Sequence, residues 1–432
     1  MKNLAAIVLC AGQGTRMKST RSKMLHEVAG KPLCRWSLDL AAELQAKPII
    51  AVLGYQRDLV SKVIDPSVIA VFQEQQLGTG HAVQVAFEKL TDFKGRVLVL
   101  YGDTPLLRLE TLQKLCELSG DSQISVLTSQ VKNPFGYGRI LRDKKGQIEQ
   151  IIEEKDASDQ QKDIGEINPG IYLFEAEFLR KNLSKLKANN QKGEYYLTDL
   201  IALSEKPISS LEVPEEEILG VNDLVQMAKA ERILRRRINE YWMREGVLML
   251  DYKTTYIDTQ VILEKDVVLE QGVILRGSCQ IASGVRIGAY SLLEDAKVGS
   301  GCQVGPFARL RPETVLEENC KIGNFVEVKK SHFKKGSKAN HLAYIGDTEV
   351  GESCNIGAGT ITCNYDGVNK HKTQIDNRVF VGSNSTLIAP VHLEEGSYIA
   401  AGSVITQDVP RNNLAIGRGR QENKNAKPLS RN

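Results

Sequence analysis

The sequence predicts two domains in series: an α/β domain on a mostly parallel sheet, then a parallel β-helix of hexapeptide repeats. Three observations carry this. The chain has 432 residues, beyond the length at which one hydrophobic core stops growing. Residues 1 to 221 alternate short apolar runs with helix-like stretches. Past Tyr256 one aliphatic recurs in every six residues, a period that neither a helix nor a flat strand produces.

In the first half, Leu4 to Ala11, Ile49 to Gly54, Arg96 to Asp103 and Gly170 to Glu175 read as buried strands. Strands covered on both faces appear as continuous apolar runs. The first run could pass for a signal-peptide core, but no A-x-A site follows it and it meets Gly12-Gln13-Gly14 directly. A strand ending in a turn is expected. Ligands of open α/β sheets bind beyond the carboxyl ends of the strands, where Gly12, Gly102 and Asp103 fall. Residues 222–245 place Leu224, Ala228, Leu234, Ile238 and Trp242 at helical spacing, as a linker helix between domains 1–221 and 246–432. Its run Arg235-Arg236-Arg237 reads as a solvated face rather than a nucleic-acid contact.

In the second half Ile257, Leu263, Leu269, Leu275, Ile281, Ile287 and Leu293 keep the spacing of six. One residue is dropped, and Val298, Val304, Leu310, Leu316, Ile322 and Val328 resume it. Val350 and Ile356 follow, then Ile375, Val381, Leu387, Leu393, Ile399 and Ile405. A chain coiling with three short flat sides points one large side chain inward per side, and these 21 positions make about seven coils. Four residues after each aliphatic stands a small or β-branched residue, such as Ala308, Ser385 or Ser403, which lets a corner close. Cys279, Cys302, Cys320 and Cys354 occupy that position and read as inert fillers. The rhythm is lost between Val328 and Val350 and again between Ile356 and Ile375. Both stretches are expected to be expelled as loops, and loops on a rigid scaffold are where chemistry concentrates.

Composition bounds the partners. A net charge of +3 does not imply a polyanion, and no nucleic-acid partner is expected. No apolar run approaches the ~18 residues of a membrane span, so no membrane partner is expected either. Eight cysteines without metal-ligand spacing read as reduced thiols of a cytoplasmic protein.

The turn Gly12-Gln13-Gly14 has Met17 where a dinucleotide fingerprint needs a third glycine, and it lacks the Walker pattern. What remains is a turn exposing backbone N–H groups, with Arg16 and Lys23 close behind. It suits an anion of high charge density, above all a triphosphate. The alternative is a tight turn beside solvated basic residues.

The motif LCAGQGTRM with Lys23, QQLGTGHA (Gln75 to Ala82), YGDTPL (Tyr101 to Leu106), GYGRI (Gly136 to Ile140) and GEYYLTD (Gly193 to Asp199) together resembles the sugar nucleotidyltransferases. With the hexapeptide half, residues 1 to 420 resemble the bacterial family of bifunctional N-acetylglucosamine-1-phosphate uridylyltransferases and glucosamine-1-phosphate acetyltransferases. That resemblance implies a Rossmann-like nucleotidyltransferase domain, a left-handed β-helix and a homotrimer. It implies UTP, N-acetylglucosamine-1-phosphate, glucosamine-1-phosphate and acetyl-CoA as substrates and Mg²⁺ as cofactor. Leu9, Cys10, Ala11, Gly12, Gln73, Gly78, Thr79, Tyr101 and Gly102 match its nucleotide-binding positions, with Arg16 and Lys23 neutralising phosphates. Asp103 and Asn222 match its magnesium ligands, and Gly138, Glu153 and Asn168 its amino-sugar contacts. Pro169 stands where the family commonly has Thr, removing an N–H donor beside Asn168.

For acetyl transfer, His341 matches the catalytic base, with Glu327 a candidate to orient it. Arg311 and Lys329 match the clamps of the sugar phosphate, and Tyr344 and Asn355 contacts of the sugar. Ala358, Asn364, Tyr365, Ser383, Ala401 and Arg418 match acetyl-CoA contacts, and the tail beyond reads as a disordered end, shorter than the family's. An alternative is a single-activity sugar nucleotidyltransferase with a regulatory or trimerising hexapeptide tail. A non-catalytic scaffold would not need Arg16, Lys23 and Asp103, all of which are present.

Overall fold

The computed structural model describes residues 3–425; the tail end expected to be disordered, 426–432, lies outside them. Among the described residues no helix is long and apolar enough to cross a membrane. The chain divides into two compact units, Met1–Leu234 and Arg235–Asn432, and the division falls inside the helix Leu224–Arg244.

In the first unit β1 (Leu4–Cys10), β2 (Ile49–Leu53), β3 (Ile69–Phe72), β4 (Arg96–Tyr101) and β5 (Ile124–Gln130) are followed by β6 (Gly138–Arg142) and β7 (Ile148–Ile152). Then come β8 (Glu166–Asn168), β9 (Tyr172–Glu175) and β10 (Ser209–Glu212). They form one sheet in the order β3-β2-β1-β4-β9-β5-β8-β6-β7, with β10 beside β5. All seven residues of β1 are buried. Ile7 and Leu9 feed the core on one face with Ile50 and Val99, while Ala6 and Val8 feed the other with Leu98 and Leu100. This two-sided burial is why the run carries no polar alternation. Strands β1 to β4 are parallel, as the βα alternation predicts. Beyond them the sheet is mixed: β9 is inserted antiparallel between β4 and β5, and β8, β6 and β7 continue antiparallel.

The second unit is a prism of three parallel sheets, of ten, nine and eight strands. Partners stand one coil apart, as in Leu269 with Ile287 and Leu275 with Leu293. Each two- to four-residue strand gives one side chain to a continuous interior column. The corner residues Ala308, Ser385 and Ser403 are buried as the spacing predicts. So are Cys279, Cys302, Cys320 and Cys354, whose thiols donate to backbone carbonyls.

Three expectations are corrected. Eight coils carry a strand on every side, not about seven. The stretch between Val328 and Val350 is not an expelled loop: His332–Phe333, Lys338–His341 and Tyr344–Gly346 are strands, with Phe333, Ala339 and Ile345 buried. Steps of five residues at Phe333 and Val350 shift the phase, and an aromatic and an alanine replace aliphatics, which hid the repeat. The second stretch does leave the coil. Val350 pairs with Ile375 across it, and Tyr365 pairs with Lys370 to form a small hairpin. The basic run is corrected too at Arg235, whose guanidinium is mostly buried 3.0 Å from Asp258 and 5.1 Å from the Tyr256 ring centre.

Candidate active sites

In the first unit the carboxyl ends of β1 and β4 meet. Gly102 N–H donates to the Leu9 carbonyl (3.0 Å), and a Cβ at Gly102 would lie 2.5 Å from Cys10 Sγ. Only glycine permits that approach. The chain turns at Gly14 (φ 70°) and brings Lys23 under the loop, 6% exposed. Lys23 Nζ lies 2.5 Å from Asp103 Oδ2 and 3.1 Å from Asn222 Oδ1. Residues almost two hundred positions apart thus converge, Asn222 arriving as the chain enters the long helix, where its N–H donates to Gln226 Oε1 (2.8 Å). Arg16 is exposed at the mouth.

Beside this triad lies a polar cavity under the Gly12–Gly14 turn. Gln76, not foreseen, donates to the Ala11 carbonyl (2.7 Å), and Gln73 donates to the Gly78 carbonyl (3.1 Å). Gly78 (φ 106°) opens the helix Thr79–Phe87, and Thr79 Oγ1 accepts from Leu197 N–H (3.2 Å). Gln13, Gly54, Tyr55, Gln73 and Gln76 line a cavity of 290 Å³ there.

On the other side Gly138 and Asn168 face each other across β6 and β8. Glu153 receives a hydrogen bond from Thr198 Oγ1 (3.3 Å), and burial holds its carboxyl above the usual range. Burial, with the Glu153 and Asp103 carboxylates nearby, also raises the Tyr101 phenol. Pro169 leaves no gap: Asn168 Oδ1 accepts from Gly170 N–H (2.9 Å), and its Nδ2 donates to Tyr172 Oη (2.6 Å).

In the second unit Ala339, Ile356, Val381, Ile399 and Ala415 stack in register on one sheet. Two residues on from the first four, His341, Ala358, Ser383 and Ala401 therefore occupy one corner of successive coils. Backbone bonds continue the line, from Asn384 N–H to Ala358 O (2.7 Å) and from Gly402 N–H to Ser383 O (2.8 Å). Arg418 donates to the Ala401 carbonyl. Asn364 and Tyr365 open the expelled hairpin. Asn364 donates to Asp347, and Tyr365 is exposed.

His341 Nδ1 is 2.7 Å from Asn324 Oδ1, its register partner one coil earlier. Glu327, expected to orient His341, instead accepts from Arg311 Nη1 (3.0 Å). Asn324 was legible only by stepping back one coil, a step the misread loop concealed. Lys329 lies against Lys370 of the hairpin, and the neighbouring ammonium lowers Lys370 from its ordinary value. Tyr344 adjoins Glu327 in register, and Asn355 adjoins Lys338.

A family model described as a MobA-like NTP transferase domain matches residues 6–165. Models of the bacterial transferase hexapeptide and of the hexapeptide repeat of succinyl-transferase match 295–330 and 372–407. Both fall on the three-sheet prism, a left-handed parallel β-helix. The bifunctional protein GlmU of Trichlorobacter lovleyi is 47% identical, covering 97% of this chain and 97% of its own. That of Pelobacter propionicus is 47% identical over 98% of each chain. That of Clostridioides difficile is 45% identical, covering 97% of this chain and 96% of its own. Similarity through both units displaces the single-activity alternative, and the chain belongs to the GlmU family, a bifunctional enzyme joining a nucleotidyltransferase and an acetyltransferase in one polypeptide.

Proposed function

We propose that the second unit acetylates glucosamine-1-phosphate and the first unit then couples the product to UTP, yielding UDP-N-acetylglucosamine and pyrophosphate. The register column His341, Ala358, Ser383, Ala401 carries the first assignment, because it aligns a base with a backbone-lined track that runs across successive coils, as an extended thioester needs.

Asn324 Oδ1 accepts from His341 Nδ1–H, which leaves Nε2 as a base for the substrate ammonium. The freed amine attacks the thioester carbonyl, the C–S bond breaks, and the CoA thiolate leaves. Arg311, Lys329 and Lys370 supply cations for the sugar phosphate, Tyr344 and Asn355 contact the sugar, and Asn364, Tyr365 and Arg418 hold acetyl-CoA.

In the first unit an oxygen of the sugar phosphate attacks the α-phosphorus of UTP, and the bond to pyrophosphate breaks. No covalent enzyme intermediate is needed, so catalysis is positioning and charge neutralisation. Lys23 and Arg16 oppose phosphate charge, Leu9 to Gly12 with Gln73, Gly78 and Thr79 hold the nucleotide, and Gly138, Glu153 and Asn168 hold the sugar. Asp103 and Asn222 fit Mg²⁺, since their oxygens already converge on one cation, the Lys23 ammonium, and Mg²⁺ takes few protein oxygens. When bound, Mg²⁺ would neutralise charge on the triphosphate.

We place the enzyme in the cytoplasm as a homotrimer. Tyr290, Phe307 and Phe325 stack at 5.5 and 5.4 Å along one corner of the prism, exposed and followed by exposed Leu342 beside His341. Such a ladder suits a second copy of the chain.

The test is incubation of the purified chain with glucosamine-1-phosphate, acetyl-CoA, UTP and Mg²⁺. UDP-N-acetylglucosamine is expected. His341→Ala should leave glucosamine-1-phosphate unconsumed, and Asp103→Ala should accumulate N-acetylglucosamine-1-phosphate. Wild-type chain yielding neither product would refute the reading.

A further inference from the structure

Arg139 is 1% exposed, one of the largest side chains fully enclosed in the chain. Its Nη2 donates to Glu154 Oε2 (2.7 Å), its Nε and Nη2 donate to the Lys162 carbonyl (both 3.2 Å), and its Nη1 donates to the Tyr137 carbonyl. Glu154 Oε2 also accepts from Gly136 N–H (3.1 Å). Burial would raise the Glu154 carboxyl, but these hydrogen bonds outweigh it and hold the group below its ordinary value.

The placement of this pair is what gives it meaning. Arg139 follows Gly138, Glu154 follows Glu153, and Ile167, the register partner of Arg139, precedes Asn168. Gly138 and Glu153 are therefore each one residue from the Arg139–Glu154 unit, and Asn168 is the register partner of Gly138. A guanidinium with five donors in a rigid fork fixes its acceptors in direction as well as distance. None of its partners belongs to the Gly12–Gly14 turn, Lys23, Asp103 or Asn222.

We propose that Arg139 and Glu154 are positioning residues for the amino-sugar phosphate, tying the Gly138 strand to the Glu153 segment and to Lys162, so that Gly138 and Glu153, with Asn168 paired to Gly138, converge on the acceptor while nucleotide binding is left alone. The proposal rests on the uridylyl-transfer reading of the first unit.

The test is steady-state uridylyl transfer by the full chain, varying N-acetylglucosamine-1-phosphate and UTP separately. Glu154→Gln should raise KM for the sugar phosphate about tenfold, with KM for UTP unchanged. Arg139→Lys, which keeps the charge but loses the fork, should lower kcat/KM for the sugar phosphate by up to about 10²-fold. Should Arg139→Lys fail to fold, Glu154→Gln decides. Glu154→Gln with both KM values unchanged, or with both raised together, overturns the proposal. Wild-type chain forming no UDP-sugar would instead sink the uridylyl-transfer reading, and the pair's role with it.

Discussion

At the residue scale the first unit keeps a carboxylate where burial disfavours it. Glu153 has its carboxyl raised by burial, with the Thr198 hydroxyl only partly offsetting this. A carboxyl whose folded pKa lies above the unfolded value stabilises the fold fully below the unfolded value, near 4.3, and loses that contribution as pH rises through the folded one. Glu153→Gln cannot ionise. It should melt at a higher temperature than the parent at pH 8, with the gain vanishing toward pH 4, and it should raise KM for the sugar phosphate. Equal melting shifts at both pH values in thermal scans would contradict this. His341 yields a second prediction. Asn324→Ala should lower kcat of acetyl transfer about 10²-fold and disturb its pH profile, because the ring loses the acceptor that fixes its tautomer. Glu327→Gln should act through Arg311 instead, raising KM for glucosamine-1-phosphate without moving the profile. A shifted profile in Glu327→Gln would return the orienting role to that carboxylate.

At the scale of elements, the coil tolerates insertion only where a corner can open, because its strands are two to four residues long and pair with the neighbouring coils. The hairpin after Cys363 uses such a corner, closed by the Tyr365–Lys370 pair and by Asp366 accepting from His371 Nε2 (2.7 Å). Replacing Asp366–Asn369 by Asn-Gly, a natural two-residue hairpin turn, should leave the melting temperature nearly unchanged. Acetyl transfer should fall steeply while uridylyl transfer persists; retained acetyl transfer would remove the hairpin from the site. The same corner explains what the sequence made legible. A loop long enough to break register announces itself, so the stretch expelled between Ile356 and Ile375 is readable from spacing, while Asn364 and Tyr365 within it are picked out only by the family resemblance. A shortened step does not, so the strands through Phe333, Ala339 and Ile345 read as a loop in the sequence, and nothing there points to Asn324. In the sheet domain, glycine turns and strand-end carboxylates are local in sequence and were legible as Gly12, Gly102 and Asp103. The Arg139–Glu154 pair is not, because a basic residue on an amphipathic strand normally points to water, and its burial depends on Glu154 and Lys162 arriving from 15 and 23 residues further along the chain.

At the scale of the whole molecule, the corner proposed for acetyl transfer is too open for a dry reaction in a single chain, since His341, Ser383 and Ala401 are exposed. The aromatic ladder beside them is held at a conformational cost. Tyr290, Phe307, Phe325 and Leu342 adopt φ of 58°, 53°, 56° and 49°, whereas Gly272, Gly359, Asn384 and Gly402 occupy this corner in other coils. Bulky side chains in the left-handed region persist where something outside the local backbone favours them. A neighbouring copy covering the ladder would do so and would cover the exposed His341 as well. Phe307→Asn with Phe325→Asn separates these effects, because Asn tolerates the left-handed region and already stands there at Asn384. The double variant should fold with undiminished thermal stability as a monomer, sediment as a single chain, lose most acetyl transfer and keep uridylyl transfer. A variant that kept the parent's sedimentation and full acetyl transfer would show that the ladder faces water in the assembly.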